Sequence, residues 1–247
     1  MRKNISLIIS QFFLPSGGGL EGTMNRIAHA VAQSEVVNKV EILCISQDKT
    51  KEKIFDAQFD LKVYRAHHDT LYRLIEANYK NFNSLVSGSS KLTVKGRVSK
   101  VLVAVLSLLA LGWLLKRRLR AHKKDRVVVH CFSIATIVLG YCFKKIYFRR
   151  NIKLIFSNGF VYQSSGFKLA DWIIGKALAN TDQIVCATEV SKKRLEGSYR
   201  LSRPIEVCAN WIDLTTLPRA KFSHTDNSQV TKVLSVGRII PEKGIRE

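Results

Sequence analysis

Arg238 and Lys243 bracket a short turn in Val236-Gly-Arg-Ile-Ile-Pro-Glu-Lys-Gly244, directly after the apolar run Lys232 to Val236. Two cations on a loop that follows a strand can both reach one diphosphate, with Pro241 fixing the backbone and Gly244 freeing it. Two solvated charges on a loop would show the same spacing. A second phosphate signal lies near the start of the chain, in Gln11-Phe-Phe-Leu-Pro-Ser-Gly-Gly-Gly-Leu-Glu-Gly22. Gly18 and Gly19 let a backbone approach a ligand closely, and the free N–H groups of a helix opening there suit an anion. The alternative is a glycine-rich turn with no ligand.

Gly17, Gly19 and Gly22 also match the spacing of the dinucleotide fingerprint. In that fingerprint the first glycine follows the strand almost directly, and an acidic residue ends the second strand. Here six residues including Pro15 intervene, and the second strand ends in Ser46-Gln47 before Asp48 arrives. A nicotinamide-dependent oxidoreductase is therefore a rival reading rather than the leading one.

A third constellation joins apolar and basic chemistry. Val101 to Leu115 is apolar on every side of a helix and runs straight into Lys116, Arg117, Arg118, Arg120, Lys123 and Lys124. Its 15 residues reach about 22 Å, short of the ~30 Å hydrocarbon slab, so it is not expected to span a bilayer. A helix on a sheet buries one stripe, so the outer side of this one needs cover from the core, a partner or a membrane interface. The six cations make an anionic membrane surface the preferred partner, ahead of a buried helix with a solvated basic tail; no nucleic-acid partner is expected.

The charge is local. The chain carries +21 overall, yet eleven cations fall between Lys91 and Arg126 against the single Asp125. The five cysteines are an odd number, far apart and mostly within apolar runs, which reads as buried thiols in a reducing compartment. No CxxC or Cys/His cluster has metal-ligand spacing, so neither a metal nor another cofactor is expected. The basic start, Met1-Arg-Lys, precedes an apolar stretch shorter than the ~7 residues of a signal peptide, so a cytoplasmic location is expected.

These residues need a scaffold, and the chain supplies one. Apolar runs at Ile5 to Ser10, Val40 to Ser46, Leu61 to Ala66, Val127 to Phe132, Lys153 to Ser157, Gln183 to Ala187 and Ile205 to Ala209 alternate with helix-length stretches. In the first of these stretches Leu20, Met24, Ile27 and Val31 share one face. Strands alternating with helices predict an α/β fold, a Rossmann-like parallel sheet with helices on both faces. The polar, weakly periodic run after Asp213 predicts a linker, giving a first domain over 1–214, a linker over 215–230 and the start of a second α/β unit over 231–247.

Taken in order, the segments resemble the family 4 retaining glycosyltransferases of the GT-B fold. Gly18-Gly19-Leu20-Glu21 is similar to the family's Gly-Gly-x-Glu opening of the first helix. Asp125-Arg-Val-Val-Val-His130 resembles its Asp-Val-Val-His-x-His strand, and Lys153 to Gly159 the strand ending in His-Gly. Thr181 to Glu189 resembles Ala-Asp-x-Ile-Ile-Ala-x-Ser-Glu, and Glu206 to Asp213 the segment that closes the first domain. The match of Val236 to Gly244 to Val-Gly-Arg-Leu-x-x-Glu-Lys-Gly, at the start of the donor domain, is the closest.

The resemblance implies one half of a GT-B fold. It implies transfer of a sugar from a nucleotide-sugar donor to a saccharide or lipid-linked acceptor with retention, in cell-envelope polysaccharide or glycolipid synthesis at the inner face of the membrane. Arg238 and Lys243 would neutralise the leaving diphosphate with Gly18 and Gly19 facing it across a cleft, and His130 and Asn158 would stand in the catalytic positions. Phe132 occupies the place of the family's second strand histidine, Asn158 that of the histidine approaching the reacting sugar, and Trp211 that of a glycine. Asn can hydrogen-bond a sugar hydroxyl but cannot move a proton at neutral pH. Set against the family, the chain reads as truncated after the first donor-domain strand and inactive alone; a non-catalytic membrane- or partner-binding fragment is the other rival.

Overall fold

The computed structural model describes residues 3–10, 13, 19–46, 49–66, 94–147, 151–158, 168–199, 201 and 203–209. Among them the strands are β1 (Asn4–Ile9), β2 (Lys39–Ile45), β3 (Lys62–Ala66), β4 (Arg126–Cys131), β5 (Ile152–Asn158), β6 (Gln183–Cys186) and β7 (Ile205–Val207). The helices are α1 (Gly19–Ala32), α2 (Lys49–Gln58), α3 (Val94–Ala121), α4 (Ile134–Tyr147), α5 (Lys168–Ala179) and α6 (Glu189–Ser198). Each of the seven predicted apolar runs became a strand.

The strands form one all-parallel sheet in the order β3-β2-β1-β4-β5-β6-β7. β1 is central and buried from Ile5 onward, the continuous apolar run that a strand covered on both faces requires. Its alternate residues feed two cores. Ile5, Leu7 and Ile9 join Leu43, Val129, Leu154 and Phe156 under α3, α4 and α5. Ile8 joins Ile42, Cys44 and Phe132 beneath α1, which contributes Met24 and Ala28. Helices on both faces, a Rossmann-like α/β arrangement, is what the sequence pattern predicts.

α3 is longer than the apolar run alone, 28 residues or about 42 Å. From Val105 on, its apolar residues divide between two sides. Leu111, Leu114, Leu115 and Leu119 recur at i, i+3/i+4 and i+8 and are buried against the sheet, worth about 6–12 kcal/mol gross at ~1.5–3 kcal/mol each. Gly112 meets α4, where an added Cβ would lie 3.4 Å from Leu139 and 3.5 Å from Phe143. The outer stripe of Val105, Leu109 and Trp113 stays exposed. Among the described residues no helix is long and apolar enough to cross a membrane.

The ends of these elements are held locally. Ser133 and Thr136 exchange side-chain to backbone bonds at the start of α4 (Thr136 N to Ser133 Oγ 3.2 Å, Ser133 N to Thr136 Oγ1 3.0 Å), a reciprocal cap directly after β4. Thr188 caps α6 by accepting from Ser191 N at 3.1 Å. Asp182 accepts from Leu154 N at 2.7 Å and from Lys144 Nζ at 2.6 Å, tying α4 to the β5–β6 pair. Burial pushes its carboxyl up, but these bonds and the charges of Lys144 and Arg203 hold it below the ordinary range.

One expectation fails in part. Cys44, Cys131 and Cys186 are buried strand residues, but Cys142 and Cys208 are exposed. Cys142 sits on the outer side of α4, so an apolar surrounding sequence did not imply a strand or an interior there. The expected linker and the start of a second domain, over 215–247, lie outside the described residues.

Candidate functional site at the carboxyl edge of the sheet

In a parallel α/β sheet, ligands bind beyond the carboxyl ends of the strands, where neighbouring connections leave in opposite directions. Here that switch point lies between β1 and β4, since the chain runs outward through β2 and β3 on one side and β5, β6 and β7 on the other. Gly19 is the first residue of α1, the helix that follows β1, and Glu21 lies in its first turn. Its N-terminus therefore opens at the switch point, with the positive end of its dipole toward whatever binds there.

His130 is the neighbour across the gap, paired in register with Ile8 of β1 and Ile155 of β5. Its imidazole is buried, its Nε2 lies 2.7 Å from Ser157 Oγ, and its ring packs at 4.4 Å from that of Phe132. Desolvation pushes its pKa down to about 4, so the ring is neutral at pH 7. It can give or accept a hydrogen bond there, but it is neither a cationic partner for a phosphate nor a general acid.

Asn158 ends β5 and is also buried, but the structure does not bring it beside His130. His130 pairs with Ile155, and Asn158 lies three residues further along β5, about 10 Å nearer the rim. Strand alternation sends the two side chains to opposite faces, His130 with Ile8 toward α1 and Asn158 with Phe156 toward the other core. Asn158 pairs with Cys186 of β6 and, from beside it, acts to lower the pKa of its thiol. Burial nevertheless dominates there and raises the thiol's pKa.

Gly18, Arg238 and Lys243 lie outside the described residues. Of the basic run, Lys116, Arg117, Arg120, Lys123 and Lys124 are exposed. Arg118 departs from the expectation: it turns inward, donating Nε and Nη2 to the two carboxylate oxygens of Glu41 at 2.7 Å each, over the ring of Tyr64 at 4.3 Å. Glu41 is fully buried on β2, and Arg118 lies one turn beyond Leu114 on the sheet-facing stripe, so its charge is spent on the core. Sequence reasoning passed over Ser157, the partner of His130, because a serine inside an apolar strand carries no pattern of its own.

The sequence profile of Glycosyltransferase Family 4 matches residues 93–216, half of the chain, a span that carries α3, His130 and Asn158. This chain belongs to glycosyltransferase family 4. No curated protein matches the sequence. Among solved structures, the Candida albicans trehalose-6-phosphate phosphatase N-terminal domain is similar at 9% identity and TM-score 0.55, over 85% of this chain and 48% of that one. The apo lipopolysaccharide outer core galactosyltransferase WaaB is similar at 12% identity and TM-score 0.51, over 89% of this chain and 50% of that one. These likenesses bear on the fold, and the chain spans about half the length of both structures.

Proposed function

We propose that this family 4 glycosyltransferase chain supplies the acceptor-side half of a GT-B enzyme. That enzyme moves a sugar from a nucleotide-sugar donor to a saccharide or lipid-linked acceptor with retention, in envelope polysaccharide or glycolipid synthesis. The observation that carries the reading is the pairing at the switch point: a helix N-terminus opening at Gly19, and a neutral, buried His130 on the adjacent strand. An anion is favoured at the first and an uncharged hydroxyl at the second, the two chemistries that a sugar diphosphate presents side by side.

In the transfer, the bond from the anomeric carbon to the diphosphate oxygen breaks, and a bond from the acceptor oxygen to the same carbon forms. The acceptor's proton leaves with the departing diphosphate. Charge builds on the diphosphate, so Gly18, Gly19, Arg238 and Lys243 act by electrostatic stabilisation. His130 orients a hydroxyl, since a neutral imidazole is not an acid at neutral pH, and Asn158, three residues nearer the rim and on the other face, can meet only a hydroxyl that reaches the end of β5. No metal ion is invoked; the chain has no Asp-x-Asp triplet to hold one.

The lipid-linked acceptor is supported by the exposed apolar stripe of α3 and the five outward cations that follow it, which suit peripheral attachment to the inner face of an anionic membrane. One fold relative is named as a lipopolysaccharide outer core galactosyltransferase, an acceptor class of that kind.

Equilibrium titration with UDP, GDP and NAD tests the reading. A nucleoside diphosphate should bind in preference to NAD, and Arg238→Ala or Lys243→Ala should each weaken it about tenfold. Preferential binding of NAD would replace this reading with the oxidoreductase.

A further inference from the structure

The exposed stripe of α3 is not isolated. α3, α4 and α5 lie side by side on one face of the sheet, α3 meeting α4 at Gly112 and α4 packing in turn on α5. Each of the three carries an aromatic residue with a cation four positions on, held over its ring. Arg117 lies 5.6 Å from the Trp113 ring on α3, Lys145 5.9 Å from Tyr141 on α4, and Lys176 5.9 Å from Trp172 on α5. Trp113 and Trp172 are 59% and 60% exposed, so neither ring is buried among the described residues.

Aliphatic residues share this face. Leu109 on α3, Ile146 on α4 and Leu169 on α5 are each about two-thirds exposed, and among the described residues seven of the eleven large exposed hydrophobics sit on these three helices. The same helices contain one carboxylate, Asp171, which accepts from the Tyr199 hydroxyl at 3.3 Å. The helices run antiparallel to the strands, so in each pair the aromatic ring lies nearer the carboxyl edge and its cation one turn further away. With helix axes 8–10 Å apart, Trp113 and Trp172 stand about 20 Å from one another across the row.

We propose that α3, α4 and α5 together form one docking surface for an anionic phospholipid membrane, with Trp113 and Trp172 as two separated interfacial anchors and Arg117, Lys145 and Lys176 meeting the headgroup phosphates. The proposal rests on the peripheral-membrane reading and extends it from one basic helix to a three-helix face. A lipid surface is the occupant this composition fits. Tryptophan settles at the boundary between headgroup and acyl chain, aliphatic side chains enter the acyl region, and cations one turn away remain at phosphate level. A polyanion such as RNA would use the cations and leave Leu109, Ile146 and Leu169 in water. Two anchors on different helices also fix the orientation of the face on the membrane, which one helix cannot.

The test uses the full chain with phosphatidylcholine vesicles, with and without phosphatidylglycerol. Two variants each keep one tryptophan on the face: Trp113→Phe with Trp211→Phe leaves Trp172, and Trp172→Phe with Trp211→Phe leaves Trp113. Both should show blue-shifted emission and quenching by brominated lipid on the anionic vesicles. Lys176→Ala should weaken co-sedimentation about fivefold, as one lost headgroup contact predicts. If Trp113 responds and Trp172 does not, the three-helix face is overturned while attachment through α3 stands. If the chain binds no vesicle, the membrane reading fails with it. If Lys176→Ala weakens binding but neither tryptophan responds, the surface is a general polyanion site and the proposal is overturned.

Discussion

Arg118 grips Glu41 end to end, two nitrogens on two oxygens at 2.7 Å, joining the long helix α3 to the second strand of the sheet. Glu41 has no solvent exposure, and Lys39 at 2.8 Å and His122 at 3.3 Å complete its surroundings. Burial pushes the Glu41 carboxyl up, but the hydrogen bonds from Arg118 and Lys39 and the charges of Arg118 and His122 outweigh it and hold the group below its ordinary value. Removing Arg118 leaves a buried carboxylate short of its main partner. Arg118→Ala should cost about 3 kcal/mol, the low end for a broken buried pair because Lys39 and His122 remain. Arg117→Ala, one residue away and exposed, should stay within about 0.5 kcal/mol. Replacing both members, Glu41→Leu with Arg118→Leu, should recover most of the loss in urea unfolding.

His130 makes stability depend on pH in a defined window. Its folded pKa of about 4 lies below the ordinary 6.5, so between those values the unfolded chain binds a proton that the folded one does not. Stability therefore rises with pH across that interval. The contribution is fully present above pH 6.5 and is lost as pH falls toward 4, on the order of 3 kcal/mol in total. The depressed carboxyls of Glu41 and Asp182 lose their contributions at lower pH in any variant. The difference in urea midpoint between the natural chain and His130→Gln should thus carry the His130 slope alone, appearing between pH 6.5 and 4.

Two helical glycines should respond in opposite directions to the same change. An alanine Cβ at Gly140 would lie 3.2 Å from Leu154 Cδ2 and 3.3 Å from Cys131 Sγ, both in fully buried side chains that have no room to yield. Overpacking of about 1–3 kcal/mol then outweighs the gain of about 1 kcal/mol in helix propensity, and Gly140→Ala should destabilise. A Cβ at Gly197 meets nothing within 4 Å, so Gly197→Ala should stabilise α6 by up to about 1 kcal/mol. Thermal unfolding of the two single variants checks both signs.

The strands were legible because each is an apolar run bounded by polar or turn residues, the mark of a sheet buried on both faces. The inward turn of Arg118 was not, since it depends on Glu41 lying 77 positions earlier and on a strand facing the same stripe. Period alone puts Arg118 on the face of Leu111, Leu114 and Leu115, but the surrounding cations made it look like part of a solvated run. Likewise His130 falls within an apolar run and Asn158 follows one directly, yet which face each side chain takes follows from the pairing register, and that register is a property of the assembled sheet. The aromatic and cation spacing at Trp172–Lys176 and Tyr141–Lys145 was present in the sequence; what gave it meaning was the adjacency of three helices.

In the proposed function a sugar nucleotide meets this domain at the switch point between β1 and β4. Hydrogen–deuterium exchange of the full chain with UDP, GDP or NAD tests it most directly. A nucleoside diphosphate should slow exchange at the start of α1 from Gly19 and at the carboxyl ends of β1 and β4, around Ser10 and His130. Protection by NAD and not by UDP or GDP, or protection confined to the opposite edge around Lys39 and Asp125, would contradict it.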